Sequence, residues 1–167
     1  REDVGVAFET VRDWLLVLEQ FYYLFRVTPW SKSVARSLKK EAKVYLYDWV
    51  EVPGEGPRFE NLVAMHLHKA VTTWRALGAG DVELHYLRDK EKREVDFVLT
   101  EGGRPMCLVE CKSGDETPSP PLRHFQGALG VPTAVQLVNK PGISRRTREE
   151  GRSLWVVSAD RWLAMLP

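Results

Sequence analysis

The sequence contains few cysteines and few other features that would assign it to a common class of protein. Two cysteines, Cys107 and Cys111, occur among 167 residues. They lie on one face of an apparent strand about 13 Å apart, which is too far for a disulfide. We therefore expect two buried, reduced thiols, which are typical of a cytoplasmic protein.

An excess of charge and a long apolar run are also missing. The 24 Lys and Arg residues nearly balance the 23 Asp and Glu residues, so any nucleic-acid surface must come from local clustering of basic side chains. No apolar run approaches the length of a membrane span, and no signal peptide is visible. With 44% hydrophobic residues, the chain can bury the core of one domain and a small partner.

Several catalytic signatures are absent from the sequence. It has no G-x-x-x-x-G-K-[ST] loop to bind ATP phosphates, and no Ser or Cys nucleophile motif with a partnered His. His66 and His68 would lie on different faces of a helix, which does not favour a zinc site. Because the chain begins with Arg1 in what looks like the middle of a motif, we expect it to be a fragment.

The most informative stretch runs from Glu94 to Ser113, where two apolar, strand-like runs flank a Gly-Gly turn. Each run carries charge that a buried strand disfavours, namely Asp96 in the first run and Glu110 and Lys112 in the second. A turn centred on Gly103 would place Asp96 opposite Glu110, with their side chains on one face and Cβ atoms about 4.5–5.5 Å apart. Lys112 would follow on that face about 6.6 Å along the strand.

Two carboxylates this close repel each other, and one keeps its proton near neutral pH unless a cation lies between them. Mg²⁺ or Mn²⁺ suits such a pair, because these ions need few protein carboxylates and keep water and phosphate oxygens as ligands. A nearby lysine can then activate water or hold the phosphate. The sequence thus predicts catalytic residues for phosphodiester hydrolysis at Asp96, Glu110 and Lys112, with the two carboxylates as metal ligands.

An acid-x-Lys triplet alone has little weight, because Glu41-Ala42-Lys43 is a second example in the same chain. The strand context distinguishes the first: V-D-F-V-L, a Gly turn and L-V-E-C-K resemble the core of the PD-(D/E)XK nuclease-like superfamily. More closely, the chain from Asp3 to Lys112 resembles the C-terminal region of bacterial and archaeal AAA+ ATPases that end in a domain of unknown function with this nuclease-like fold. Val95 stands where the motif has proline.

The resemblance implies an α/β fold, with a three-layer α/β/α restriction-endonuclease-like core of order αβββαβ in residues 53–167. It implies a partial winged helix in residues 1–52. Glu60, in the first turn of a helix predicted over residues 58–77, matches a third acidic position near the metal. The resemblance further implies nucleic acid, DNA above all, as a partner, and an upstream AAA+ module that would bind ATP.

Residues 1–52 have the pattern expected of a recognition-type helix followed by a two-stranded wing. We expect Thr10 to cap the helix, whose buried stripe would consist of Val11, Trp14, Leu15 and Leu18. Residues 21–28 and 43–50 are aromatic and β-branched and predict the hairpin. A plain amphipathic helix that packs two domains together is the alternative for the first element.

Two basic segments are candidates for nucleic-acid binding. One lies between the predicted wing strands and contains Lys32, Arg36, Lys39 and Lys40. The other lies within residues 140–152 and contains Arg145, Arg146 and Arg148. Both could contact phosphates, although solvated surface is an equally good interpretation of the first.

Three functions fit the charged cluster. The first is a metal-dependent nuclease-type site, and the second is a non-catalytic substrate-binding or regulatory domain of an AAA+ ATPase. The third is a buried salt-bridged cluster with a purely structural role. The complete set of two acids and one lysine favours the first, because a decayed site would have lost part of it.

Overall fold

The computed structural model describes residues 5–31 and 41–167. The helices are α1 (Phe8–Gln20), α2 (Glu55–Ala76), α3 (Pro120–Leu129) and α4 (Ala159–Leu163), with a 3-10 turn at Trp49–Glu51. The strands are β1 (Leu24–Pro29), β2 (Lys43–Leu46), β3 (Val82–Arg88), β4 (Glu94–Glu101), β5 (Arg104–Lys112), β6 (Thr133–Val138), β7 (Ser144–Glu149) and β8 (Arg152–Ser158). The chain is therefore a mixed α/β protein, as predicted.

The strands of the described residues form one mixed sheet in the order β2-β1-β3-β4-β5-β6-β8-β7. Strands β3, β4 and β5 are antiparallel neighbours, whereas β5, β6 and β8 run parallel. Helices cover both faces: Leu67 of α2 packs with Phe97 and Val109, and Leu122 of α3 packs with Val98 and Leu108. Because successive strand residues face opposite sides, the continuous apolar run of β4 supplies both cores.

The turn between β4 and β5 differs in detail from the prediction. It consists of Gly102 and Gly103, both with positive φ (54° and 75°), which is the conformation that a two-residue hairpin turn requires. Because this turn is centred between Gly102 and Gly103, and not on Gly103 as predicted, the strand register next to the turn differs from the prediction. A register shift between Leu99 and Thr100 offsets this difference. The predicted register is thus restored beyond the shift, where the pairs are Phe97↔Val109, Val98↔Leu108 and Leu99↔Cys107.

The connection from β5 to β6 confirms the predicted strand–helix–strand unit. The Ser119 side chain accepts a hydrogen bond from the Leu122 N–H and caps α3, and Gly130 ends the helix in the left-handed conformation (φ 64°). Strand β6 then pairs in parallel with β5. Such a unit needs a crossover helix, which here covers the second face of the sheet.

The basic segment of residues 140–152 is recognised in the sequence by its charge alone, with no secondary structure predicted for it, and the structure shows a strand there. Residues Ser144–Glu149 form strand β7, which pairs antiparallel with β8 at one edge of the sheet. Every residue of β7 is exposed. Because neither face of β7 is buried, the strand does not have the alternation of apolar and polar residues by which half-buried strands are recognised.

The predicted hairpin of the N-terminal region is confirmed but is shorter than expected. Strands β1 and β2 pair antiparallel from Leu24↔Leu46 to Val27↔Lys43. Strand β1 also pairs in parallel with β3 through Thr28↔His85, so the hairpin extends the central sheet. The predicted phosphate-binding residues Lys32, Arg36, Lys39 and Lys40 lie outside the described residues.

The buried stripe predicted for the first helix is wrong. Helix α1 begins at Phe8, two residues before Thr10, and its N-cap residue is Ala7. Trp14 is 52% exposed, and Val11 and Leu18 are exposed as well. Periodicity identifies the apolar face of a helix but not what covers it, and α1 packs mainly against β1.

Cys107 is buried and Cys111 is half-buried, and both are free thiols. No helix in residues 5–31 and 41–167 combines the length and the apolarity needed to cross a bilayer.

Candidate functional site

Four carboxylates and two lysines form one charged cluster, in which the acids bound to Lys43 lie beside the first turns of α2 and the remaining acid interacts with Asp96 from strand β5. The carboxylates are Glu60 of α2, Glu94 and Asp96 of β4, and Glu110 of β5. Lys43 of β2 contacts the first three, and Lys112 of β5 contacts the fourth. The structure thus brings the predicted residues Glu60, Asp96, Glu110 and Lys112 together and adds Lys43 and Glu94 to them.

Asp96 lies at an irregularity of β4. Val95 packs under α3 and Phe97 under α2, so the usual alternation is broken at Asp96, and the β3–β4 register shifts nearby. The Asp96 Oδ2 atom accepts a hydrogen bond from the Cys111 N–H at 2.9 Å. Bulges of this kind re-aim a side chain, and this one turns Asp96 toward Glu60 and Lys43.

The relation between Asp96 and Glu110 therefore differs from the expected facing pair. The paired part of the β4–β5 ladder ends at Phe97↔Val109. Strand alternation places Glu110 with Leu108 on the α3 side, because Val109 and Cys111 pack on the α2 side. The two carboxylates still interact, and Glu110 is one cause of the raised pKa of Asp96.

The protonation of Asp96 reflects its surroundings. Burial first, and then the neighbouring carboxylates Glu60 and Glu110, raise its pKa to about 7. The Lys43 ammonium and the Cys111 N–H act in the opposite direction and stabilise the carboxylate. Asp96 consequently gains and loses its proton near neutral pH.

Glu110 is the most deeply buried acid of the cluster, with a side chain that is 6% exposed. Its Oε1 atom lies 2.8 Å from the Lys112 Nζ atom. Its Oε2 atom is buried and has no hydrogen-bond partner among the described residues. A buried carboxylate oxygen without a donor is costly, so this atom marks a place where a cation or a proton donor would be stabilised.

Lys43, like Glu94, is a member of the cluster that sequence reasoning missed. Its Nζ atom lies 2.9 Å from Glu60 Oε1, 2.6 Å from Glu94 Oε1 and 3.7 Å from Asp96 Oδ1. Burial lowers the pKa of Lys43, but these carboxylates outweigh burial and raise it above the usual lysine value. The available signal was the Glu41-Ala42-Lys43 triplet, which looks like a chance repeat of the motif in β5.

Glu60 was expected in the first turn of its helix, but α2 begins at Glu55, so Glu60 lies in the second turn. Its Oε1 atom accepts hydrogen bonds from the Lys43 ammonium at 2.9 Å and from the Tyr45 O–H at 2.7 Å. A role in complementing the helix N-terminus does not apply to this position, because that effect is confined to the first turn. Glu60 instead joins α2 to strand β2.

Lys112 has a different environment from Lys43. Its side chain is 34% exposed, and its charged neighbour is Glu110. Burial lowers the pKa of Lys112, but the hydrogen bond and charge of Glu110 raise it more, so that the amine is protonated at neutral pH. A protonated, accessible amine is suited to binding an anion rather than accepting a proton.

The second basic segment lies apart from the cluster, on the edge strand β7. The Arg145 guanidinium is 2.8 Å from Glu116, in the loop that follows Lys112, and Lys140 approaches the same carboxylate at 4.0 Å. Arg146 stacks on the Trp155 ring at 4.8 Å. Arg145 is therefore connected with the loop that follows Lys112, next to the cluster. Arg146 instead contacts Trp155 on the neighbouring strand β8.

The donor set of the cluster consists of hard carboxylate oxygens, which are the ligands that Mg²⁺ and Mn²⁺ prefer. In the described part of the chain, no three side chains of His, Cys, Asp or Glu converge closely enough to hold a metal ion as they stand. Lys43 lies among three of the four acids. The fit to a divalent cation thus rests on Asp96 and on the unpartnered oxygen of Glu110.

A family model described as "Domain of unknown function (DUF4143)" matches residues 55–160, which is more than half of the chain. The chain belongs to the DUF4143 family. A second model, "Domain of unknown function (DUF8612)", matches residues 1–49. No curated protein matches the sequence. The acids and Lys112 thus lie in the DUF4143 segment, whereas Lys43 and Tyr45 come from the other segment.

Proposed function

We propose that this DUF4143 domain is a metal-dependent, nuclease-like domain that binds phosphodiesters and hydrolyses them at the Asp96–Glu110 site. The observation that carries the proposal is the Glu110 Oε2 atom, a buried carboxylate oxygen without a partner among the described residues. The αβββαβ order from α2 to β6 supports a restriction-endonuclease-like core. The strand context of Asp96 and of Glu110-Cys111-Lys112 supports the same assignment.

The charge of the cluster supports a cation as the missing component. Its four carboxylates face three cationic side chains, namely Lys43, Lys112 and the Arg88 that pairs with Glu94, and the remaining negative charge is unstable in a partly buried place unless a proton or a cation offsets it. The raised pKa of Asp96, about 7, reflects the first of these solutions. A divalent cation would be the second.

In this mechanism, Asp96 and Glu110 would hold Mg²⁺ or Mn²⁺, with Glu60 adding negative charge nearby. When bound, such an ion stabilises negative charge on phosphate oxygens and makes water easier to deprotonate. Lys112 binds a phosphate oxygen, because its raised pKa keeps it protonated. Its position next to Glu110 would orient the phosphodiester toward the acids.

A non-catalytic role is the second candidate, favoured by one specific observation. Lys43 already neutralises part of the cluster, with its Nζ atom within 4 Å of Glu60, Glu94 and Asp96. A domain that keeps this arrangement permanently would bind or present a substrate without cleaving it. In either form, we propose that the domain serves an AAA+ ATPase module and acts on nucleic acid, DNA above all.

Calorimetric titration with Mn²⁺ tests the proposal. Wild type should bind the ion weakly and more tightly in the presence of a phosphodiester, because two protein carboxylates leave much of the shell to other oxygens. Asp96→Ala and Glu110→Gln should abolish binding, whereas Lys112→Met should bind Mn²⁺ but lose the gain from the phosphodiester. Asp81→Ala, at an exposed position, is the matched control. Equal binding by Asp96→Ala and wild type would favour the non-catalytic role.

A further inference from the structure

Strand β2 supplies a cation to a site whose acids belong to other elements. The Lys43 Nζ atom lies 2.9 Å from Glu60 on α2 and 2.6 Å from Glu94 on β4. The third acid in reach is Asp96, at 3.7 Å, which is also a proposed metal ligand. Lys43 is 19% exposed, so solvent screens these interactions only in part.

We propose that Lys43 is a built-in counter-ion that competes with a divalent cation for the acids of this site, so that the position of its ammonium group controls metal binding. The inference rests on the proposed function, because it concerns the same metal site. It adds a regulatory residue that lies outside the DUF4143 segment.

The competition follows from the acids that the two cations would share. Asp96 is in contact with Lys43 and is needed for the metal. Two cations within about 4 Å of one carboxylate repel each other, because a partly buried place screens their charges only in part. Metal binding at Asp96 therefore requires Lys43 to withdraw, and the position of Lys43 sets the affinity for metal.

The fold allows this withdrawal. Strand β2 is an edge strand of four residues that pairs with β1, and Lys43 lies at the last pair of that ladder. A lysine has a flexible four-carbon stem, so its ammonium group can leave the acids without a change in the strand.

Two contacts hold the hairpin while the ammonium group moves. The Asn61 side chain bonds both the N–H of Leu46 at 2.9 Å and its carbonyl at 2.7 Å. The Tyr86 O–H donates to the Glu41 carbonyl at 2.7 Å. These contacts thus hold the backbone of the hairpin in place, whereas the ammonium group of Lys43 can move.

If the ion cluster has a purely structural role, removal of Lys43 is expected to change the affinity for a divalent cation differently. If Lys43 only docks the hairpin, its removal should leave the affinity for a divalent cation unchanged or reduce it, since the acids lose their alignment. If Lys43 competes, its removal should increase that affinity at alkaline pH, where Asp96 is ionised even without the stabilising charge of Lys43. The sign of the change therefore distinguishes the two roles.

The test is calorimetric titration of the full chain with Mn²⁺ alone at alkaline pH, after thermal unfolding has confirmed that each variant folds. Lys43→Met keeps the apolar stem and removes the charge, and should bind Mn²⁺ on the order of tenfold more tightly than wild type or better. Lys43→Arg keeps a cation and should bind about as wild type does. Lys90→Met, at an exposed position, is the matched control and should show no change.

A second measurement uses wild type and does not depend on a variant that folds. In an NMR titration with Mg²⁺, the side-chain amine signals of Lys43 should move toward those of an exposed lysine such as Lys90 as the metal displaces it. Unchanged Lys43 signals under saturating Mg²⁺ would overturn the inference.

The outcomes separate the inference from the proposed function. If wild type and Lys43→Met bind Mn²⁺ equally, or the variant binds more weakly, the competition is refuted and the metal site stands. If Lys43→Met binds and wild type does not, competition is supported in its strongest form. If neither protein binds Mn²⁺, the metal site and the competition both fail.

Discussion

The replacement Asp96→Asn should change how the stability of the protein depends on pH. Asparagine has nearly the shape of aspartate, and its side-chain oxygen can still accept the hydrogen bond from the Cys111 N–H. It cannot ionise, however. The variant therefore isolates the free energy that the folded protein loses when this carboxyl group gives up its proton.

The magnitude follows from the pKa of Asp96, which is about 7 in the folded state against an ordinary value of 3.8. Below pH 3.8 the group is protonated in both states, so it adds no pH dependence. As the pH rises from about 4 to about 7, the unfolded chain releases this proton and the folded chain retains it, so stability falls. With about 1.4 kcal/mol per pKa unit, the loss is about 4 kcal/mol when complete.

The measurement is urea unfolding followed by tryptophan fluorescence, at several pH values from 4.5 to 8 in the presence of a chelator. The quantity to compare is the change in unfolding free energy between the two ends of this pH range. It should be more negative for wild type than for Asp96→Asn, and Asp81→Asn should follow wild type. Parallel pH profiles for wild type and Asp96→Asn would refute the raised pKa of Asp96.

Two further predictions concern the hairpin and the basic edge. Asn61→Ala should destabilise the protein by about 2–3 kcal/mol, because it leaves the N–H and the carbonyl of Leu46 without their partner. Urea unfolding measures this loss, with Thr72→Ala, which loses one exposed bond within its own helix, as the control. A loss for Asn61→Ala no larger than that for Thr72→Ala would contradict the prediction. If β7 contacts nucleic acid, alanine at Arg145 and Arg148 should weaken binding equally for all duplex sequences and flatten the salt dependence by about 0.9 per lost phosphate contact. Fluorescence anisotropy at several salt concentrations tests this, and an unchanged slope would exclude β7 from the interface.

The β4–β5 hairpin shows what the sequence could predict. Its apolar runs and the Gly-Gly turn identify the strands, because both signals are local. The register near Phe97 is also as predicted. The irregularity at Asp96 could not be predicted, since it depends on how β4 pairs with β3 as well as with β5. It changes the direction of the very side chain on which the metal hypothesis depends.

The features that sequence reasoning missed have other causes, which differ from one feature to the next. Lys43 belongs to the site because β2 folds beside α2, and no local pattern encodes a contact between residues so distant in sequence as Lys43 and Asp96. Strand β7 escaped notice because an exposed edge strand has no apolar face. In α1 the apolar face was recognised correctly, but its burial was assumed from the pattern, and Trp14 is exposed.

The position of Lys43 also bears on where this protein can be divided. The predicted boundary between residues 1–52 and 53–167 falls between the two segments that family models match, residues 1–49 and 55–160. A cut there would remove the Lys43 ammonium and the Tyr45 hydroxyl, both of which bind Glu60. The acids of the second segment would then lose their resident cation, and their mutual repulsion would increase. The boundary between the family segments therefore divides the charged cluster, to which the N-terminal hairpin contributes Lys43 and Tyr45.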